Sequence, residues 1–348
     1  MAVYNGERFL RLSIESILFQ TFADFEFIIV DDGSTDKTWS ILCDYADSRI
    51  RLIQNEENIG LTRSLNKGSA LVQGEFIARM DADDISHPLR LEKQYAYMND
   101  HPDVGVLGCQ MEQIDVNGRK IDNFHAPLFH EAIAWKMLFE TSIAHPTVMM
   151  RRRDFTEAGG YDPSFIYAQD LELWSRMVHV TWFANLPESL HSRRWHRFSI
   201  CSLHSEKQFD LGLIVRHRLY ERILNRKIDK ELVDILSKWS GRRTSFPDCD
   251  RIKQAISLMV ELFEALTKGN CLVPEELNTL REDLIVRSIS LSRPQLKDVR
   301  MWAVLGWTWK YDLILVWKIA TRRLCRAMSP SIPQRAIGTY KELSGTDL

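Results

Sequence analysis

Early in this chain, a short run of β-branched and aromatic residues twice ends abruptly in a cluster of acids. Phe25–Val30 (FEFIIV) runs into Asp31-Asp32-Gly33-Ser34, and Glu75–Met80 (EFIARM) runs into Asp81-Ala82-Asp83-Asp84. A short, nearly continuous apolar run reads as a strand buried on both faces, so the acids belong at its carboxyl end. Between the two runs lie a helical stretch, TWSILCDYA, capped by Ser34 or Thr35, and a strand, IRLIQ (Ile50–Gln54). A second helical stretch follows, NIGLTRSLNKGSALVQG, which Gly74 stops. Strands alternating with helices predict an α/β fold with a mostly parallel sheet flanked by helices. In such a sheet the ligand crevice lies beyond the carboxyl ends of the strands, so both acidic clusters fall on one edge.

The 348 residues suit one large domain or two modest ones, and a net charge of -2 gives no electrostatic case for nucleic acid. Six scattered cysteines without a CxxC pair read as reduced thiols of a cytoplasmic protein. The opening MAVYNGERF has no apolar leader, and no stretch reaches the ~20 apolar residues of a membrane span. Past residue 205 the pattern becomes charged and helical, as in DKELVDILSKW, with SGRRTSFPDCD as a connector. The expected division is therefore a catalytic domain over 1–205 and a helical region over 206–348. Residues 300–348 hold eight basic residues against three acidic ones and include a Trp-rich segment, MWAVLGWTWKYDLILVWKIATRRLCRAM. Two readings fit it: an amphipathic helix lying on an anionic membrane surface, or a buried helix with its basic end in water.

Asp81 and Asp83 at a strand end make a hard-oxygen site suited to Mg²⁺ or Mn²⁺. Such an ion can neutralise the diphosphate released when a glycosyl–phosphate bond breaks. Read otherwise, the acids are a solvated turn ahead of Pro88. Asp32 could accept from a nucleobase or ribose, or could close an Asx-turn. Asp170, in GGYDPSFIYAQDLELW, reads either as a helix-start carboxylate or as a general base for an attacking hydroxyl.

Together these segments resemble glycosyltransferase family 2, of the GT-A fold. The resemblance rests on AVYNGERFLRLSIESILFQTFADFEFIIVDDGSTD, NIGLTRSLNKG, GEFIARMDADDISHPLRLEKQ, HPTVMMRR, GGYDPSFIYAQDLELW and RRWHRFSI, in that order. The wording of DADDISHPLRLEKQ is most similar to bacterial enzymes of surface-polysaccharide synthesis. The resemblance implies that Ala2, Val3 and Tyr4 line the nucleobase pocket and that Asp32 bonds the base. It makes Asp81 and Asp83 the nucleotide and metal pair and Asp170 the catalytic base. His196 takes the place of the histidine of a YRxH motif near the metal, although here the motif reads Arg193-Arg194-Trp195-His196.

The expected activity is inverting transfer of a hexosyl or N-acetylhexosaminyl group from a nucleotide sugar, UDP-linked by preference. The acceptor is a glycan or lipid-linked glycan hydroxyl, reached in the cytoplasm or at the inner face of the cell membrane. Two rivals are a phosphohydrolase with Asp81 as nucleophile and a non-catalytic nucleotide-binding remnant. Members of this family carry a strand just before the VYNGE segment, between the strands that FEFIIV and EFIARM form. Met1–Val3 are too few to fill its place, so that strand is expected to be largely missing and nucleotide binding to be weak.

Overall fold

Ile29 and Val30 are completely buried, and the strand that carries them, β2 (Phe27–Asp31), is buried along its whole length. The computed structural model describes residues 1–197, 199–238, 247–268 and 272–292. In it β2 pairs in parallel with β1 (Ala2–Val3) on one side and β3 (Ile50–Gln54) on the other. Helix α1 (Leu10–Leu18) buries Leu10, Ser13, Ile14 and Ile17, the spacing of one helix face, against this layer. Helix α2 begins only at Thr38 and runs to Cys43, and its first N–H is met by Asp36 Oδ1 at 2.9 Å. The expected caps, Ser34 and Thr35, are instead bonded to Asn5, through Asn5 N–H to Ser34 Oγ (2.9 Å) and Thr35 N–H to Asn5 Oδ1 (2.8 Å). Helix α3 (Leu61–Ser69) stops short of Gly74.

The second sheet has six strands and is mixed. Its order is β4 (Phe76–Ala78), β8 (Met149–Arg151), β6 (Val104–Ile114), β9 (Trp182–Arg194) and β5 (Ile85–Ser86), with β7 (Lys120–Phe124) also on β6. Only β6 and β9 run parallel; the other pairs are antiparallel. Simple strand–helix alternation, the basis of the parallel expectation, therefore ends after β4. Helices α4 (Arg90–Asp100), α5 (His130–Met137), α6 (Arg152–Glu157) and α7 (Gln169–Met177) connect these strands.

From α8 (Ile200–Leu203) onward the described chain is helical: α9 (Ser205–Leu224), α10 (Lys230–Ser237), α11 (Cys249–Thr267) and α12 (Pro274–Ser292). These helices share one core with the sheet, in which Leu219, Met259, Phe263 and Leu284 join Trp135, Leu138 and Trp174. Buried polar groups tie the two parts together. Tyr220 Oη donates to Leu138 O at 2.7 Å, and Trp135 Nε1 donates to Asp283 Oδ2 at 2.6 Å. The Trp-rich basic segment after Arg300 lies outside the described residues. Among the described residues, no helix is long and apolar enough to cross a membrane.

Strand β1 is two residues long and pairs only with β2, while β4 pairs only with β8, among the described residues. The ladder along β2 begins at Met1, whose carbonyl accepts Val30 N–H at 2.9 Å. Before that point, between β2 and β4, lies a cavity of about 670 Å³ lined by Met1, Ile28, Leu65, Phe76, Ala78 and Met150, among others. Among the described residues, no strand joins β2 to β4 across this cavity.

Candidate active site

The turn after β4 gathers Asp81, Asp83 and Asp84, one carboxylate oxygen of each lying within 4.8 Å of the others. Like charges so close need compensation, and each acid has its own. Asp81 forms an ion pair with Arg79, a guanidinium only 6% exposed. Asp83 Oδ2 meets His196 Nε2 at 2.9 Å. Asp84 is buried and fully committed inward: Oδ2 meets His191 Nε2 at 2.8 Å, and Oδ1 accepts the Arg194 N–H at 2.8 Å. Burial, reinforced by Asp81, pushes the Asp84 carboxyl up to about 7. Burial likewise drives His191 well below the usual imidazole range, so both members of this pair are driven toward their neutral forms.

Arg194 also donates from Nε to Asp83 O at 2.9 Å and from Nη1 to Asp115 O at 3.0 Å. The end of β9 is thus fastened to the acidic turn, and His196, two residues further on, is presented to Asp83. Of the three acids, Asp81 and Asp83 keep carboxylates about one-third exposed. With the His196 imidazole they form an oxygen-rich donor set that fits a hard divalent cation.

Asp170 stands in the first turn of α7, after Ala168 in the left-handed region (φ 56°). Its Oδ1 accepts the Leu171 N–H at 2.8 Å, so the carboxylate is partly a helix-start acceptor. Burial pushes its pKa up, the Leu171 N–H and Arg79 pull it down, and Asp81 raises it, which ties Asp170 electrostatically to the acidic turn. The loop before it is pinned. Gly159 and Gly160 take φ of 80° and 68°, and Thr62 Oγ1 donates to Phe165 O at 2.8 Å. Behind the turn, Tyr161 Oη and His145 Nε2 lie 2.7 Å apart and buried.

On the other flank, Asp32 Oδ1 accepts from Asn55 Nδ2 (2.8 Å), Ile59 N–H (3.0 Å) and Ser64 Oγ (2.8 Å). Its Oδ2 accepts from Gly60 N–H at 2.9 Å, and the whole carboxylate is buried. Tyr4 is 49% exposed. Val3, expected to line the same pocket, is 4% exposed and packs into the cluster around Ile29, while Ala2 packs against the larger core. Tyr4 follows the end of β1 and is the one left open.

Sequence reasoning assigned no role to Arg79, His191, Arg194 or the buried carboxylate of Asp84. A signal for Arg79 was present: it is the one cation in the apolar run EFIARM. His191 and Arg194 gave none, since they meet Asp84 only across 107 and 110 residues.

An α/β fold that ends a strand in clustered carboxylates, with an imidazole on one side and a half-buried carboxylate on the other, is the GT-A arrangement of glycosyltransferases. The sequence pattern of Glycosyl transferase family 2 matches residues 1–160. An uncharacterized glycosyltransferase of Haemophilus influenzae is 32% identical over 256 residues, covering 68% of this chain and 77% of that protein. The O-antigen biosynthesis glycosyltransferase WbnJ of Escherichia coli is 36% identical over 207 residues, covering 57% of this chain and 79% of WbnJ. Among solved structures, S. aureus TarS 1-349 in complex with UDP-GlcNAc is similar in fold. Its TM-score is 0.54 and its identity 20%, over 88% of this chain and 89% of that one. The chain belongs to glycosyltransferase family 2 and is a glycosyltransferase, with relatives in polysaccharide biosynthesis.

Proposed function

We propose that this glycosyltransferase inverts: it moves a hexosyl or N-acetylhexosaminyl group from a nucleoside-diphosphate donor to a hydroxyl of a glycan or lipid-linked glycan. The setting is bacterial cell-surface polysaccharide assembly, on the cytoplasmic side of the membrane. The observation that carries the reading is the carboxylate cluster of Asp81, Asp83 and Asp84 at the end of β4, with His196 on Asp83 and the buried Arg79 on Asp81. The UDP-GlcNAc bound by the structural neighbour and the O-antigen role of WbnJ support a uridine donor and a surface glycan.

Asp83, with Asp81 and His196, would hold a divalent ion, Mg²⁺ or Mn²⁺, whose charge offsets that of the departing diphosphate. Asp32 Oδ2 and Tyr4 would contact the base. Asp170 takes the proton of the acceptor hydroxyl as its oxygen bonds to the anomeric carbon. The bond from that carbon to the diphosphate oxygen breaks, and the nucleoside diphosphate leaves with the electron pair. Attack from the face opposite the leaving group inverts the centre in one displacement. The family relationship speaks against a phosphohydrolase, for which Asp81 would have to act as nucleophile.

The test follows slow hydrolysis of UDP-sugars by proton NMR, with Mn²⁺ and with EDTA, and reads the first anomer released. Release of the inverted anomer, abolished by EDTA, is expected. A retained anomer would overturn the inverting assignment, and full turnover in EDTA would overturn the metal.

A further inference from the structure

Two loops meet beside Asp170, and each holds an apolar side chain out in water. The first is the pinned loop before α7. There Phe165 is buried, its carbonyl fixed by Thr62 and its ring covered by the Arg218 guanidinium at 5.5 Å. The next residue, Ile166, is 62% exposed. The second is the end of α8 and its turn into α9, beyond His196, where Leu203, the last residue of α8, is 59% exposed. The loops touch through one ring pair, Tyr167 and His204, with centroids 4.7 Å apart and planes 33° from parallel. Both rings are half-buried. Ile166 precedes Tyr167 and Leu203 precedes His204, so the ring contact gathers the exposed side chains of the two segments around one pair of rings.

The reading of the site proposed above, on which this inference rests, says what covers it. Donor-side groups, Tyr4 and Asp32, lie with β1 and β2. An acceptor hydroxyl must come within hydrogen-bond reach of the Asp170 carboxylate. Tyr167 stands just before Ala168 on the loop that opens α7 and leads to Asp170, so the Tyr167–His204 rings, with Ile166 and Leu203 next to them in sequence, are the exposed surface that the loop presents beside the base. We propose that the Tyr167–His204 pair is the acceptor platform, a stacking surface for one pyranose ring of a glycoside, bordered by Ile166 and Leu203. A pyranose suits it chemically. The axial C–H groups of one sugar face meet the electron-rich face of an aromatic ring, while the hydroxyls at the rim stay free to reach Asp170 or water. The platform is rigid because Ala168 and Phe165 fix the backbone on both sides of Tyr167, which limits the ordering cost of binding.

The test uses the full chain loaded with UDP and Mn²⁺ and titrates methyl α- and β-pyranosides of glucose, galactose and N-acetylglucosamine by saturation-transfer NMR. At least one glycoside should receive saturation at its ring C–H protons. Tyr167→Ala should weaken it about three- to tenfold, the worth of one aromatic contact. Ile166→Ser should weaken it less, Tyr167→Phe should leave it unchanged, and UDP affinity should stay within about twofold throughout, which also reports an intact fold. Glycoside binding equal in Tyr167→Ala and the parent chain, or no glycoside binding by a chain that binds UDP, overturns the platform. Failure of the parent chain to bind UDP with Mn²⁺ instead overturns the underlying reading of the site.

Discussion

His196 Nε2 lies 2.9 Å from Asp83 Oδ2 across 113 residues of sequence. One residue along the same turn, Asp84 grips His191 and the Arg194 N–H on the strand that leads to His196. Two adjacent carboxylates of one turn therefore hold one strand end, and they do different work. Asp83 is open enough to meet a ligand, while Asp84 is sealed inside.

That division predicts opposite phenotypes at the metal-facing acid. Asp83→Ala removes a carboxylate about one-third exposed, so the melting temperature should change little. Mn²⁺-dependent UDP binding, measured by calorimetry, should be lost. His196→Ala should weaken the Mn²⁺ dependence by ~10–100-fold, the range for a group that tunes or supports a metal site. Undiminished Mn²⁺ dependence in Asp83→Ala would remove this residue from the site.

Asp84→Ala should do the reverse to the fold. It leaves the buried His191 imidazole without a partner and the Arg194 N–H without an acceptor, each an unsatisfied polar group costing ~1–3 kcal/mol. Denaturant unfolding should show a loss of ~2–5 kcal/mol, with Asp84→Asn intermediate because the amide oxygen can still accept one of the two bonds. A stability loss no greater than that of Asp83→Ala would mean that the strut contributes little.

Much of this was legible before any coordinates. FEFIIV announced a strand that is buried throughout, whereas EFIARM, expected to be buried on both faces, forms a short strand that is only half-buried, with Ala78 exposed. The acidic turn at its end followed from local pattern, and the assignment of Asp83 to the metal came from the family resemblance. Asp170 could be singled out from its loop and helix start, but only packing disclosed that Arg79 offsets its burial. His191 and Arg194 sit in a strand whose sequence, WFANLPESLHSRR, alternates poorly and gives no sign of a partner. Their importance is purely tertiary, because Asp84 is buried only once β5 and β9 have paired. The mixed order of the second sheet was hidden for the same reason: the strand–helix alternation that signals parallel pairing stops after β4.

Asp170→Asn keeps the shape of the side chain and removes the proton acceptor. Donor binding should survive while kcat falls by ~10²–10⁴. The raised Asp170 pKa carries a pH signature. The base must be ionised to act, so kcat should fall with decreasing pH, and the fall should centre above the usual carboxylate range. In Asp170→Asn the residual rate should lack that limb. A variant that keeps most of its turnover, or an unchanged acid limb, would place the base elsewhere.

The cavity between β2 and β4 makes the last prediction, and sheet geometry supplies its size. Neighbouring strands sit ~4.8 Å apart, and among the described residues no strand joins β2 to β4 across this cavity. On the β2 side Met1 N donates to Ile28 O at 2.9 Å, at the edge of the slot. On the β4 side, Arg79 N–H goes to Val148 O, so residues 79 and 77 face β8, and the alternating groups of Phe76 and Ala78 face the slot. Apolar side chains such as Ile28, Leu65, Phe76 and Met150 line it. Phe76 is half-buried and Ala78 exposed, so their free backbone groups reach water, and pairing them with an added strand contributes ~0.5–1.5 kcal/mol per hydrogen bond. A four-residue β-branched extension placed before Met1 should enter the slot as a parallel strand continuous with β1. It should raise the melting temperature by at least ~5 °C, at a few degrees per kcal/mol, and tighten UDP binding by stiffening the turn that carries Asp81. A Gly-Ser extension of equal length should do neither, because it offers no side chains to fill the cavity. If the apolar and Gly-Ser forms melt together and bind UDP alike, the slot is not a strand site, and the chain holds its sheet together without one.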